Sequence, residues 1–155
     1  MTTETSKSNF ERMAMVIART PFMKHLAMEF VEGGDGWAKI KMAYQDENST
    51  AFKALHGGAI SSLIDTTGAM AAWTTAEIAT PKYFGSTVGI NVNYLSAAIG
   101  EDIFAEGRVL KRGKEIIYSD VRVTNASGKL LAQGTVTYRI VERTEGEGQL
   151  PSSKG

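Results

Sequence analysis

Residues 55–73 read Leu-His-Gly-Gly-Ala-Ile-Ser-Ser-Leu-Ile-Asp-Thr-Thr-Gly-Ala-Met-Ala-Ala-Trp. The Gly57-Gly58 turn runs straight into a long helical pattern that carries one acid, Asp65, among small and apolar residues. Glycine lets a backbone approach a ligand closely. The first turn of a helix offers unpaired N–H groups and a positive dipole end to developing negative charge. Together these are the parts of an oxyanion hole. A tight loop-to-helix turn would use the same glycine pair for shape alone.

Gly57 and Asp65 are eight positions apart, which on a helix is about 12 Å along the axis and about 80° around it. One carbonyl carbon cannot touch both. If both act on one substrate, the acid must come from a second, antiparallel copy of the helix, and the site is shared across a two-fold dimer. Ile60, Leu63, Ile64, Thr67 and Ala71 form one apolar stripe, with Asp65 off its centre near Ser61, Ala69 and Ala72. Small neighbours of this kind suit a face that meets a partner helix or a ligand.

Outward from this helix, Asn9 is placed to cap a helix carrying Phe10, Met13, Val16 and Ile17, which Pro21 should end. Residues 28–31 and 37–42 read as strands joined by the Gly33-Gly34-Asp35-Gly36 turn, and residues 86–95, 102–111, 115–125 and 130–141 as four more. Short glycine-bearing turns at 111–114 and 125–128 make antiparallel hairpins the economical connection. In the first of the four, Val88, Ile90, Val92 and Tyr94 alternate with Thr87, Gly89, Asn91 and Asn93, which puts Thr87 and the asparagines on one polar face. The pattern is α+β, a curved antiparallel sheet wrapped around one long central helix. A single domain spans 10–142, between disordered segments at 1–9 and 143–155.

With 155 residues, 43% hydrophobic and 22% charged, the chain is an ordinary globular domain. Seventeen basic and seventeen acidic residues leave no excess charge to favour nucleic acid or an anionic membrane. No cysteine is present, so disulfides, thiol nucleophiles and cysteine metal sites are excluded. Two histidines without a paired acid give no metal site. The polar N-terminus has no signal core and no stretch is long enough to span a membrane, so a cytoplasmic address is expected.

The motif H-G-G-x6-D at His56–Asp65, followed by T-V-G-I-N-V-N-Y-L-S at Thr87–Ser96, resembles the hotdog-fold acyl-CoA thioesterases of the PaaI-like, phenylacetate-pathway type. The likeness continues through Val109–Val121, Gly128–Tyr138 and the upstream P-F-M-K-H-L at Pro21–Leu26, and covers roughly residues 20–140.

The resemblance implies that the Gly57 N–H binds the thioester carbonyl, with Gly58 beside it, and that Asp65 acts as general base or nucleophile. It puts Thr87 where related enzymes hold the attacking water; strand propensity would also explain a threonine there. Relatives carry an asparagine six residues before the motif histidine, where this chain has Thr50; Asn48, eight before, is the nearest substitute. His56 is expected to fix the loop by hydrogen bonding, with general-acid duty as the lesser reading. Asn91 could line the site.

Coenzyme A phosphates are assigned by the resemblance to Arg108, Lys111, Arg112, Gly113 and Lys114, although a solvated hairpin carries such charges too. Phe22, Met23, Met70 and Trp73 are candidates for the acyl side or for plain core.

The expected protein is thus a cofactor-free acyl-CoA thioesterase, a homodimer assembling further into a tetramer as a dimer of dimers. A non-catalytic acyl-CoA-binding scaffold of the same fold is the rival. Hydratases of this fold pair the acid with a histidine a few residues on, and Gly68–Ala72 offers none.

Overall fold

The structure is a computed structural model and describes residues 3–76 and 82–143. Helices α1 (Thr3–Arg19) and α2 (Pro21–His25) precede strands β1 (Met28–Gly34) and β2 (Trp37–Met42). The central helix α3 (Gly57–Trp73) follows, then β3 (Tyr83–Tyr94), β4 (Ile103–Arg112), β5 (Ile116–Asn125) and β6 (Leu130–Glu142). The strands form one sheet in the order β1-β2-β4-β5-β6-β3, every neighbouring pair antiparallel. None of the described helices is long and apolar enough to cross a membrane.

Helix α1 begins at Thr3, so Asn9 lies inside it and does not cap it, and the backbone from Thr3 to Asn9 is helical where disorder was expected. Polar composition misled here. Met13 and Ile17 are buried and Phe10 meets Phe30 edge-on at 5.0 Å, and a helix nucleated by that packing extends through polar residues at little cost. Pro21 ends α1 as expected and also starts α2, because proline at N1 gives up an N–H that has no helical partner anyway. The expected tail falls beyond Arg143, outside the described residues, as do residues 77–81.

Helix α3 lies against one face of the sheet. Leu63 and Ile64 are fully buried, and each contributes roughly 1.5–3 kcal/mol through burial. The contact is close because glycines allow it. A Cβ on Gly68 would sit 2.6 Å from the Val136 side chain, and one on Gly134 would sit 2.8 Å from Ile64 Cγ2. The main core joins α1, α3 and the sheet, and a smaller cluster of Ala72, Ile117, Tyr138 and Ile140 lies under the C-terminal end of α3. Ala72 therefore belongs to the core and not to the face shared by Ser61, Asp65 and Ala69, which are only half-buried.

Two bulges decide which side chains face the helix. In β3 the pairing with β6 shifts between Thr87 and Gly89, leaving Val88 as the extra residue. Thr87 sits opposite buried Tyr138, while Ile90, Val92 and Tyr94 sit opposite buried Val136, Gly134 and Ala132. Thr87 therefore shares the helix-facing side with Ile90, Val92 and Tyr94, and Asn91 and Asn93 face away. Uninterrupted alternation had grouped Thr87 with the asparagines. In β4 the shift falls between Val109 and Lys111, and beyond it Lys111 pairs with exposed Tyr118 while Arg112 pairs with buried Ile117. Arg112 thus turns to the helix side.

Candidate active site

The motif histidine caps α3. His56 Nδ1 accepts the Gly58 N–H at 2.8 Å, its carbonyl accepts the Ile60 N–H at 3.1 Å, and its own N–H donates to the Asn48 carbonyl at 2.9 Å. An accepting Nδ1 puts the proton of the neutral ring on Nε2. The Gly57 N–H, at N1, has no helical acceptor and points out of the first turn at the positive end of the helix.

Asn48 is 2% exposed, and its amide donates to the carbonyls of Leu26 (3.2 Å) and Ala43 (2.9 Å) while its Oδ1 accepts the Gln45 N–H at 3.1 Å. Its side chain is committed to holding the loop, so its link to the site runs through its backbone carbonyl. At Thr50 the hydroxyl accepts the Phe52 N–H at 3.3 Å.

Two turns along α3, Asp65 sits on the half-buried stripe with Ser61 and Ala69, and Thr87 Oγ1 donates to Asp65 Oδ1 at 2.6 Å. Beside them Tyr138 accepts the Trp73 indole N–H at 3.1 Å, the two rings edge-on at 6.4 Å. Burial pushes the Tyr138 phenol above its ordinary value, the Trp73 hydrogen bond partly offsets this, and the charge of Asp65 raises it further. The phenol therefore stays protonated next to the carboxylate. Gly85 makes room for both rings, since a Cβ there would lie 2.6 Å from Tyr138 and 2.7 Å from Trp73.

The structure divides the remaining candidates. Asn91 faces away from α3, Met70 is buried in the main core with Met23 packed against it, and Phe22 is exposed on α2. Trp73 is half-buried beside Tyr138. Arg108 lies on the outer side of the sheet, its guanidinium 5.5 Å from the Trp37 ring and paired with Glu106 at 2.6 Å. Lys111 and Lys114 are exposed, and the Gly113 N–H closes the hairpin on the Ile116 carbonyl at 2.8 Å. Only Arg112 turns to the helix side, in one row with Ile117, Tyr138 and Thr87. Three strand spacings separate Arg112 from Thr87, about 14 Å.

Tyr94 was read from sequence only as an apolar strand residue. Its hydroxyl donates to the Gly57 carbonyl at 2.9 Å and also contacts Ser61 Oγ. Nothing local distinguishes it from any aromatic residue near a strand end; the signal is three-dimensional.

One six-stranded antiparallel sheet wrapped around one long helix is the hotdog architecture, and the chain carries a carboxylate and a glycine-turn amide on that helix. Residues 52–132, more than half the chain, match the family model described as thioesterase superfamily, and the chain belongs to this family of thioester hydrolases. It is 36% identical to human acyl-coenzyme A thioesterase 13 over 138 residues, covering 88% of each chain. Among solved structures, zebrafish thioesterase superfamily member 2 superposes with a TM-score of 0.70 at 32% identity, covering 90% of this chain and 98% of that one. The PaaI protein of the E. coli phenylacetic acid degradation operon shares the fold with a TM-score of 0.76 at 18% identity, covering 88% and 95%.

Proposed function

We propose that the protein hydrolyses acyl-CoA thioesters to the free acid and coenzyme A in a site shared by two subunits. The Thr87–Asp65 hydrogen bond carries the reading, because it joins the carboxylate to the hydroxyl expected to hold water. Thr87 occupies one carboxylate oxygen and leaves the other, with the threonine lone pairs, for a water molecule. Asp65 takes a proton from that water as its oxygen attacks the thioester carbon. The oxyanion rests on the Gly57 N–H of the partner subunit, and the C–S bond then breaks to release the thiolate, which is protonated.

A dimer through β3 is supported by its free edge. A twelve-residue edge strand with Val88 60%, Ile90 43% and Tyr94 53% exposed is a liability unless something covers it. An antiparallel pairing of β3 with its own copy, with the axis at Asn91 and Val88 bulged out of the ladder, would set Thr87 opposite Tyr94 of the partner subunit. Tyr94 touches Gly57 and Thr87 touches Asp65, so each carboxylate would meet the other subunit's glycine turn. A tetramer as a dimer of such dimers remains part of the proposal. The 36% identity to an acyl-CoA thioesterase supports coenzyme A as the thiol, and Arg112 on the helix side suits one of its phosphates.

Thiol release from a panel of acyl-CoAs tests the activity. Asp65→Asn should abolish it while His56→Ala, a cap variant, retains part. Single turnover in H₂¹⁸O should label the acid product in the first turnover if Asp65 is a base; label entering Asp65 first would make it the nucleophile. Tight acyl-CoA binding without thiol release from any substrate would move the assignment to the scaffold.

A further inference from the structure

We propose that Tyr94 is a positioning residue for the oxyanion donor: its phenol, oriented by Ser61, fixes the glycine turn that presents the Gly57 N–H. The inference rests on the reading of that N–H as the oxyanion donor.

A Gly-Gly pair has no side chains to brace it and samples backbone conformations closed to other residues. An oxyanion donor built on such a pair must be held by neighbours, since its value lies in being fixed before charge develops. The Gly57–Gly58 peptide is held at both ends. Its carbonyl accepts from the Tyr94 hydroxyl at 2.9 Å, and its N–H donates to His56 Nδ1 at 2.8 Å. The preceding peptide is held as well, through the His56 carbonyl accepting the Ile60 N–H. The Tyr94 ring also packs over Gly57, with Cε1 and Cζ each 3.4 Å from an ideal Cβ there, at van der Waals contact. Ser61, one helical turn on, contacts the phenol oxygen and limits its rotation.

The hydroxyl therefore does not touch substrate. It acts on the Gly57 carbonyl side of the turn, and the N–H on the other side of the same Cα takes the substrate. Tyr94 reaches this place because the Val88 bulge turns it to the helix side with Ile90 and Val92.

The test is steady-state turnover of an acyl-CoA by Tyr94→Phe, Ser61→Ala and the double variant, with size-exclusion chromatography and thermal melting on each. Tyr94→Phe keeps the ring and removes the hydroxyl with its contacts to the Gly57 carbonyl and Ser61 Oγ. It is expected to lower kcat about tenfold, the scale of a partly misplaced donor, while KM stays within about twofold and oligomeric state and melting temperature hold. Ser61→Ala is expected to lower kcat about threefold, and the double variant no further than Tyr94→Phe, because Ser61 acts through the phenol. Wild-type kcat in Tyr94→Phe, a loss matched by loss of the oligomer, or losses that multiply in the double variant each overturn it. Full turnover in Asp65→Asn would remove the site reading and this inference together. Loss in Asp65→Asn with wild-type turnover in Tyr94→Phe would remove this inference alone.

Discussion

The Thr87 hydroxyl donates to the Asp65 carboxylate at 2.6 Å, tying the outermost strand of the sheet to the half-buried stripe of the central helix. The bond fixes the rotamer of the acid and leaves its second oxygen open. Thr87→Val keeps the shape of the side chain and removes the donor. It is expected to lower kcat by roughly one to two orders of magnitude, the range of a lost acid–base positioning contact, while Thr87→Ser restores most of the rate. Steady-state kinetics of the three proteins on one acyl-CoA checks this.

Arg112 and Arg108, four positions apart on β4, lie on opposite sides of the sheet, and only Arg112 shares the side of Asp65. Charge reversal in Arg112→Glu should raise KM for acyl-CoA about tenfold with little change in kcat, whereas Arg108→Glu should not. Neither should alter turnover of the same acyl group on N-acetylcysteamine, a thiol without phosphates. Equal effects of the two reversals on acyl-CoA would refute the division.

Gly68 passes so near Val136 that an added methyl would lie 2.6 Å from a rigid β-branched side chain. Alanine gains up to about 1 kcal/mol of helix propensity. Overpacking against a strand costs about 1–3 kcal/mol. A net destabilisation of about 1–2 kcal/mol is expected for Gly68→Ala, read from urea unfolding, and a stabilised variant would show that the helix lifts freely.

Asp102 accepts the Tyr44 N–H at 2.9 Å and pairs with Lys41 at 3.1 Å. The backbone hydrogen bond, then Lys41, hold its carboxyl below the ordinary value of 3.8, so its stabilisation is present above that pH and fades as pH falls through the lowered value. The hydrogen bond and charge of Asp102 raise Lys41 above 10.5, so its share is present below that pH and fades as pH rises past the raised value. Asp102→Ala should therefore lower the melting temperature across the plateau between these limits. The gap should close as pH falls through the lowered value of Asp102. Because both side chains are only half-buried and partly screened by water, the effect should be small, and Asp102→Asn, which keeps an acceptor for Tyr44, should lose less.

Most of the architecture was legible in the sequence because it is written in local terms. The strands follow period-two apolar runs closed by glycine turns, and α3 follows its glycine pair and apolar stripe. The eight-residue spacing from Gly57 to Asp65 already implies that, if both act on one substrate, the acid comes from a second copy of the helix. What escaped depends on single insertions and on contacts distant in the chain. One extra residue at Val88 reversed the side on which Thr87 sits relative to Asn91, and another at Leu110 separated Arg112 from Arg108. Asn48 matched a displaced family asparagine by type, yet its three amide hydrogen bonds go to backbone groups of Leu26, Ala43 and Gln45, two of them outside its own turn. Tyr94 gains its place only when residue 94 meets residue 57.

The Val88 bulge gives β3 two phases on either side of a single residue. Its first half uses odd positions to carry Gly85 and Thr87 toward the helix, and its second half uses even positions to carry Ile90, Val92 and Tyr94 there. Excising Val88 removes the one residue without a ladder partner and leaves Thr87 and Gly89 opposite Tyr138 and Thr137 in unbroken alternation, so the hydroxyl stays over the acid and the phenol over the glycine turn. A one-residue deletion at this point should therefore spare both contacts, and swapping Val88 for another residue should be tolerated equally well. What this position contributes is a local bend and twist of the strand, supplied by backbone and not by a side chain.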